Sequence, residues 1–450
     1  MARCYCHWRR VLICVCTPCI TLFLLMVFLT VMICTRVNNT FSSDGIPFRV
    51  HFVAPGLLSN NSFAPVPKTF WERHNDAFWN RLQLTMDRHF NPILHPYNLK
   101  QRFENGTSYE SLLKQSVSEV SNSTGGKFGQ LPQQIQEFMC HMQRRDYPTL
   151  IQPDGQCGAG AKDEEEPPFL LLAIKSTQLN FKNRQAIRRT WGRVGWVAAG
   201  QRSSSGGGER GGYVRRVFLL GKDNTEDLDV VLSELLRLES KHYGDILQWD
   251  FKDTFFNLTL KDVLFWSWFS RSCGQTRFVL KGDDDVFVNT PNMITYLQDQ
   301  LKKPQAHITM KDFMIGEVIA AAAPNRGNLS KYFIPDSFYK GFYPMYAGGG
   351  GVVYSGQLTR RLHEMSKRVH LFPIDDVYVG MCMKRLNAHP IHHPAFLTFD
   401  FPGKEEEKPC SYHTILLVHK RSPEQLIQLW AHIKDTHEQC WDVPLRDGKR

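Results

Sequence analysis

Residues 278–290 read FVLKGDDDVFVNT, three adjacent aspartates set between two apolar runs. FVL and VFV predict strands on either side of the acids, and a carboxylate beside a covered strand is costly unless something neutralises it. Upstream, FLLLAIKS (169–176), RRVFLLG (215–221) and DILQWDF (245–251) are continuous apolar runs, the pattern of strands covered on both faces. Between them, NRQAIRRTWG (183–192), the segment Leu228 to Ser240 and NLTLKDVLFWSWFSRSC (257–273) carry helical spacing. This alternation predicts an α/β domain with a largely parallel sheet. Ligands bind such sheets at the carboxyl ends of the strands, which is where the aspartates fall.

Asp283, Asp284 and Asp285 admit two readings, a solvated acidic turn or the carboxylates of a divalent-cation site. The apolar flanks favour the second. An Asp-x-Asp turn presents one carboxylate to Mg²⁺ or Mn²⁺ and another to a ribose or metal-bound water, and such cations complete their shells with substrate phosphates. A nucleoside diphosphate is the implied ligand. A second acidic pair, Asp375–Asp376, lies in LFPIDDVYVGMCMKRL (371–386), where Pro373 holds the chain extended before a helix. Carboxylates there serve either as helix caps or as a general base for an acceptor hydroxyl. In YPMYAGGGGVVYSG (343–356) no Lys-Ser/Thr follows the glycines, which excludes a Walker-type phosphate loop. The run Gly348–Gly351 forms a tight turn or brings backbone close to a ligand. Phe342, Tyr343 and Tyr346 beside it suit the apolar face of a sugar. His419 ends TILLVHK (414–420) and is either structural or a ligand for a remaining metal position.

The 450 residues carry 54 Lys and Arg against 44 Asp and Glu, a formal charge of +10. These cations are scattered, with no basic block, zinc-finger or RNA-binding signature, so no nucleic-acid partner is expected. Val11–Cys34 is uncharged and long enough to span a bilayer. Arg3, Arg9 and Arg10 precede it and Arg36 follows, which places the N-terminus in the cytoplasm. Without a small-residue cleavage site, the segment predicts an uncleaved type II signal-anchor. Residues 1–10 are then a cytoplasmic tail, 11–34 the anchor and 35–65 a stem. Residues 66–166 form a luminal segment that packs on the main α/β domain, 167–450. Cys4 and Cys6 are candidates for palmitoylation. Cys140, Cys157, Cys273, Cys382, Cys410 and Cys440 face an oxidising lumen and predict disulfides, with Cys140–Cys157 as the expected local pair. Sequons at Asn38, Asn60, Asn105, Asn122, Asn257 and Asn328 agree with that compartment.

In order and spacing, FLLLAIKS…NRQAIRRTWG, RVFLLG, DTFFNLTLK, FVLKGDDDVFVN, YAGGGGVVYSG and PIDDVYVGMC resemble the inverting β1,3-glycosyltransferase family of the Golgi, from Phe169 to His419. The sequences IDD before VYVG and AGGGG without a cysteine are similar to its poly-N-acetyllactosamine-extending β1,3-N-acetylglucosaminyltransferases rather than to its galactosyltransferases. Met345 and the loop 200–212 depart from the family pattern and bear on acceptor preference. The resemblance implies a GT-A (Rossmann-like) fold, UDP-GlcNAc as donor, Mn²⁺ or Mg²⁺, and a galactose-terminated glycan acceptor. It also implies residence in the Golgi membrane and admits an oligomer with itself or with other glycosyltransferases. By motif position it implies Asp285 and His419 as metal ligands and Asp376 as catalytic base, with Asp375 beside it in the donor or acceptor site. Asp283 and Asp284 fall on the nucleotide side, and Lys175, Arg184 and Arg188 near the diphosphate. Tyr346, Gly349 and Gly350 line the sugar site. The competing readings are a family member using UDP-galactose and a non-catalytic, lectin-like Golgi scaffold.

Overall fold

The computed structural model describes residues 25–30, 76–90, 131–159, 167–200, 210–223 and 229–447. The chain divides into two units, Met1–Leu57 and Leu58–Arg450. In the first, residues 25–30 are helical and exposed, and the rest of the expected anchor lies outside the described residues, as does the expected stem. Among the described residues no helix is long and apolar enough to cross a membrane.

The second unit is a mixed α/β fold. Its main sheet runs, edge to edge, β1 (Thr149–Ile151), β5 (Ile246–Lys252), β4 (Gly211–Lys222), β2 (Leu170–Lys175), β6 (Phe278–Asp283), β9 (Tyr346–Ser355), β8 (Met314–Ile319) and β10 (Ile391–His392), with β3 (Gly195–Ala198) paired to β4. A small second sheet joins β11 (Phe396–Leu397), β12 (Leu417–Val418) and β7 (Phe287–Val288). The strands β5, β4, β2 and β6 are mutually parallel. The chain moves outward from β2 through β4 to β5, then returns to the other side of β2 for β6. That reversal opens a crevice at the carboxyl ends of β2 and β6, where sheets of this kind hold ligands.

Alternation along the strands builds two cores. Leu170, Leu172 and Ile174 of β2 pack with the helices Phe181–Arg189 and Thr290–Lys302. Leu171 and Ala173 face the opposite layer, formed by the helices Leu258–Ser272, Gly356–Ser366 and Asp375–Arg385. The sheet departs from the largely parallel expectation at β9, which runs antiparallel to both β6 and β8. The glycine run lies inside β9 instead of forming a turn. A β-carbon at Gly351 would fall 2.7 Å from Leu417 Cδ1 of the small sheet, so the side-chain space is already occupied.

The helix Phe78–Phe90 packs on this unit, because its apolar face needs cover. Trp79 is fully buried, donates from Nε1 to Leu371 O at 2.9 Å and meets Phe372 edge-on. Asp87 accepts two bonds of 2.8 Å from the buried Arg385 guanidinium. Arg385 ends the helix whose first turn carries Asp375 and Asp376, so this contact braces that helix from its far end.

The expected Cys140–Cys157 pair is corrected. Cys157 bonds Cys273 and Cys410 bonds Cys440, whereas Cys140 is free and exposed and Cys382 free and buried. The bridge of Ala159 to Arg216 lays the chain alongside β4, which brings Cys157 to Cys273 at the end of the helix Leu258–Ser272. The Cys157–Cys273 bond spans 116 residues, and cross-links of that length restrict the unfolded chain strongly. Replacing both cysteines by serine is expected to lower unfolding stability by about 3 kcal/mol in a denaturant titration.

Candidate active site

The register of β2 on β6 sets Lys175 opposite Asp283 at the crevice. Lys175 Nζ lies 3.1 Å from Asp283 Oδ1 and 2.6 Å from Asp375 Oδ2. Burial alone would strip its proton, but Asp283 and then Asp375 outweigh that and hold the ammonium well above its usual range. Along the turn that follows, successive side chains alternate. Asp283 and Asp285 share one side with His419, with ligand atoms from all three within 4.8 Å of one another. Asp284 points the opposite way, into bonds from Ser176 Oγ (2.6 Å) and Asn180 Nδ2 (3.0 Å). Burial pushes its carboxyl up to about 6 despite those donors.

His419 reaches this position because β12 pairs antiparallel with β7, with Val418 opposite Phe287. Arg421 N then donates to Asp285 O at 2.7 Å, fixing the turn that holds His419 Nε2 3.3 Å from Asp285 Oδ1. Burial disfavours the imidazolium, but the bond to Asp285 and the charges of Asp285 and Asp283 raise His419 above its ordinary value. An oxygen-rich set with one imidazole suits Mn²⁺ or Mg²⁺.

The glycines serve this geometry. Gly349 has φ +86°, and a β-carbon there would fall 2.1 Å from Thr398 Oγ1. At Gly350 it would fall 2.3 Å from Val286 Cγ1 and 2.6 Å from His419 Cδ2. Their backbone therefore makes room for the histidine and its support. Gly350→Ala is expected to displace the His419 ring and raise the metal concentration for half-maximal activity about ten-fold, read from Mn²⁺ titrations of activity.

Asp375 and Asp376 occupy the first turn of Asp375–Arg385. Lys281, a lysine within the buried strand β6, lies 2.7 Å from Asp262 Oδ2, 3.6 Å from Asp375 Oδ2 and 3.9 Å from Asp376 Oδ1. Burial would raise Asp375, but Lys175 and Lys281 hold it well below the usual carboxylate range. Asp376 goes the other way: burial, and then the charge of Asp375, raise it far above that range. Asp262 is raised too, by burial first, but it is wholly enclosed, whereas the Asp376 side chain keeps 21% of its surface exposed. Asp376 is thus the proton-hungry carboxylate that a substrate can reach.

Arg184 and Arg188 take a different place from the one their sequence context implies. The Arg184 guanidinium spends its donors on Glu239, Ser176 Oγ, Thr177 O and Gln178 O. Arg188 spends its own on Glu239 and Asp245. Both lie on the buried face of the helix Phe181–Arg189 and hold it in place, leaving Lys175 as the cation at the strand end. Lys281 and Asp262 escaped sequence reasoning. Their signal was a lone charge inside FVLKG and an adjacent Lys-Asp pair inside LKDVLFW, apolar contexts that demand buried partners.

Residues 182–394 match the family model described as galactosyltransferase, which sets the class as a glycosyltransferase domain. Human N-acetyllactosaminide beta-1,3-N-acetylglucosaminyltransferase 2 is 42% identical over 382 residues, covering 83% of this chain and 89% of that protein. Human N-acetyllactosaminide beta-1,3-N-acetylglucosaminyltransferase 4 is 41% identical, covering 70% and 76%. The human acetylgalactosaminyl-O-glycosyl-glycoprotein beta-1,3-N-acetylglucosaminyltransferase is 38% identical, covering 72% and 80%. The chain belongs to the galactosyltransferase family, among its β1,3-N-acetylglucosaminyltransferases.

Proposed function

We propose that this chain is an inverting β1,3-N-acetylglucosaminyltransferase of GT-A architecture. It transfers GlcNAc from UDP-GlcNAc to O3 of the terminal galactose of lactosamine-type glycans, extending poly-N-acetyllactosamine. The observation that carries the reading is the split of the site into a candidate metal cluster at the β6 end and a reachable, proton-hungry Asp376 on a separate helix. The relatives' names support the GlcNAc donor over galactose. The intact acid set counts against a non-catalytic scaffold.

Asp376 accepts the proton of the acceptor O3 as that oxygen bonds the anomeric carbon from one face. The bond from that carbon to the diphosphate oxygen breaks on the other, through an oxocarbenium-like state, so the α-linked sugar becomes β-linked. Asp283, Asp285 and His419 would hold Mn²⁺ or Mg²⁺, which when bound neutralises charge on the departing diphosphate. Asp375, held ionised by Lys175 and Lys281, keeps the proton affinity of Asp376 high. Asp284 and Arg184 act through the turn after β2, which both anchor. Tyr346 packs against Gly380 on the helix that carries Asp376 and is our candidate for the acceptor side.

A type II Golgi location is part of the proposal, supported by the uncharged Val11–Cys34, the sequons and the two disulfides. The test is transfer by the full-length protein from UDP-GlcNAc and from UDP-galactose to lactosamine, with linkage analysis of the product. A β1,3-linked GlcNAc is expected. Galactose transfer alone, or no product with either donor, would sink the reading.

A further inference from the structure

The candidate metal ligands stand on two loops that are far apart in the chain, Asp283 and Asp285 after β6 and His419 after β12. The pairing of β12 with β7 brings the loops together, but it ends at Val418 and Phe287, short of the ligands on both sides. Arg421 continues the junction. Its backbone N donates to Asp285 O at 2.7 Å, and its guanidinium turns back to the carbonyls of His419 and Lys420 at 3.0 and 3.1 Å. One residue therefore holds the backbone of a ligand on each loop.

A third loop closes on the same guanidinium. Asp400, after β11, accepts from it at 2.5 and 3.1 Å, and Glu406 accepts at 3.1 Å. Two residues before Asp400, Thr398 occupies the side-chain space of Gly349, and its backbone bonds the His419 imidazole. Asp400 and Lys420 have φ of +78° and +63°, the left-handed region that side chains normally avoid. Such backbone persists where surrounding contacts over-determine it, and it gathers at functional sites. Tyr412, whose hydroxyl lies 3.3 Å from the guanidinium, packs edge-on against Phe287 of β7 at 5.8 Å and ties the clamp to the small sheet.

Arg421 does not reach a diphosphate. Its side chain is only 4% exposed, and both of its terminal nitrogens are engaged within the protein. Its effect falls on the ligands instead. Groups that orient metal ligands are worth about 10- to 100-fold in affinity. Rigidity also bears on which cation fits, because Ca²⁺ accepts flexible cages with oxygens at about 2.3–2.6 Å, whereas the smaller Mg²⁺ demands a near-ideal arrangement at about 2.0–2.1 Å.

We infer that Arg421 is a positioning residue for the cation: by fixing the Asp285 and His419 backbones relative to one another, it makes the site favour smaller divalent cations over Ca²⁺. The inference rests on the proposed metal role of Asp283, Asp285 and His419. The test is calorimetric titration of Mn²⁺ and of Ca²⁺ into the full-length protein at a fixed UDP concentration. In Arg421→Met the Kd for Mn²⁺ is expected to rise about ten-fold while that for Ca²⁺ changes less than about two-fold, so the preference falls about five-fold or more. Arg421→Lys keeps the charge but cannot span a carboxylate and two carbonyls, so it should resemble Arg421→Met. Asp400→Asn keeps the shape of the partly exposed partner and should lower the preference about three-fold, which carries the test if the Arg421 variants do not fold. Equal losses for both cations, or native preference in Arg421→Lys or in Asp400→Asn, overturns the inference, since a merely stabilising ion pair would not change selectivity. Should the native protein bind neither cation, the metal reading fails and takes the selectivity with it. Amide hydrogen exchange of the metal-free proteins then decides the clamp: faster exchange at 285–288 and 417–422 in the variants supports it, and unchanged exchange overturns it.

Discussion

Asp376→Asn lowers kcat by about three orders of magnitude while UDP-GlcNAc still binds with metal, as expected for loss of a general base. The amide matches the carboxylate in shape but cannot accept the proton of O3. It also removes one of two crowded acids, so the fold is not weakened by the loss of charge. Activity in the native protein should rise with pH through an apparent pKa above the ordinary carboxylate range, because Asp376 works only when deprotonated and its pKa is raised. Lys281→Met sharpens the check. Lys281 lies 3.9 Å from Asp376 and favours its ionised form, so removing that cation should move the acid limb to still higher pH. Donor binding lost together with kcat in Asp376→Asn would exclude the base role.

Asp285→Ala is expected to reduce kcat/KM by about 100-fold and to abolish the enhancement of UDP binding by Mn²⁺. Asp285 supplies one oxygen of the cluster and also holds His419, so its loss removes one candidate ligand and releases another. Affinity for the cation should rise with pH in the native protein. A metal takes the neutral imidazole, and the folded protein raises the pKa of His419, so protons compete until pH passes that value. Calorimetry of UDP with and without Mn²⁺ checks this, and metal-dependent UDP binding retained by Asp285→Ala would refute the ligand role.

The expected disulfide failed where near neighbours in sequence suggested a pair. Cys140 and Cys157 are close along the chain, but Cys140 sits exposed on the helix Gln133–His141 while the pairing of Ala159 alongside β4 brings Cys157 to Cys273. Arg184 and Arg188 are engaged in a way their sequence context does not show. A basic helix following a strand end looks suited to phosphate, and nothing local reveals that Glu239 and Asp245, brought by the next helix and strand, consume both cations. The glycines changed meaning for a similar reason. Their absent side chains answer to Thr398, Val286 and His419, contacts set by a second sheet.

The sequence alone determined the strand–helix alternation, the position of the acids at a strand end and the pairing of an Asp-x-Asp turn with a distant Asp-Asp, because these depend on periodicity and residue chemistry within short windows. Tertiary structure decided which carboxylates share a space and how readily each holds a proton. Asp283 and Asp285 face His419 while Asp284 turns inward; Lys175 and Lys281 settle on Asp375 and Asp262 and leave Asp376 the most basic acid that solvent can reach. Those assignments follow from distances of a few ångströms between residues up to two hundred positions apart, and electrostatic energy in a buried site is set by that separation and by burial, neither of which a linear pattern contains.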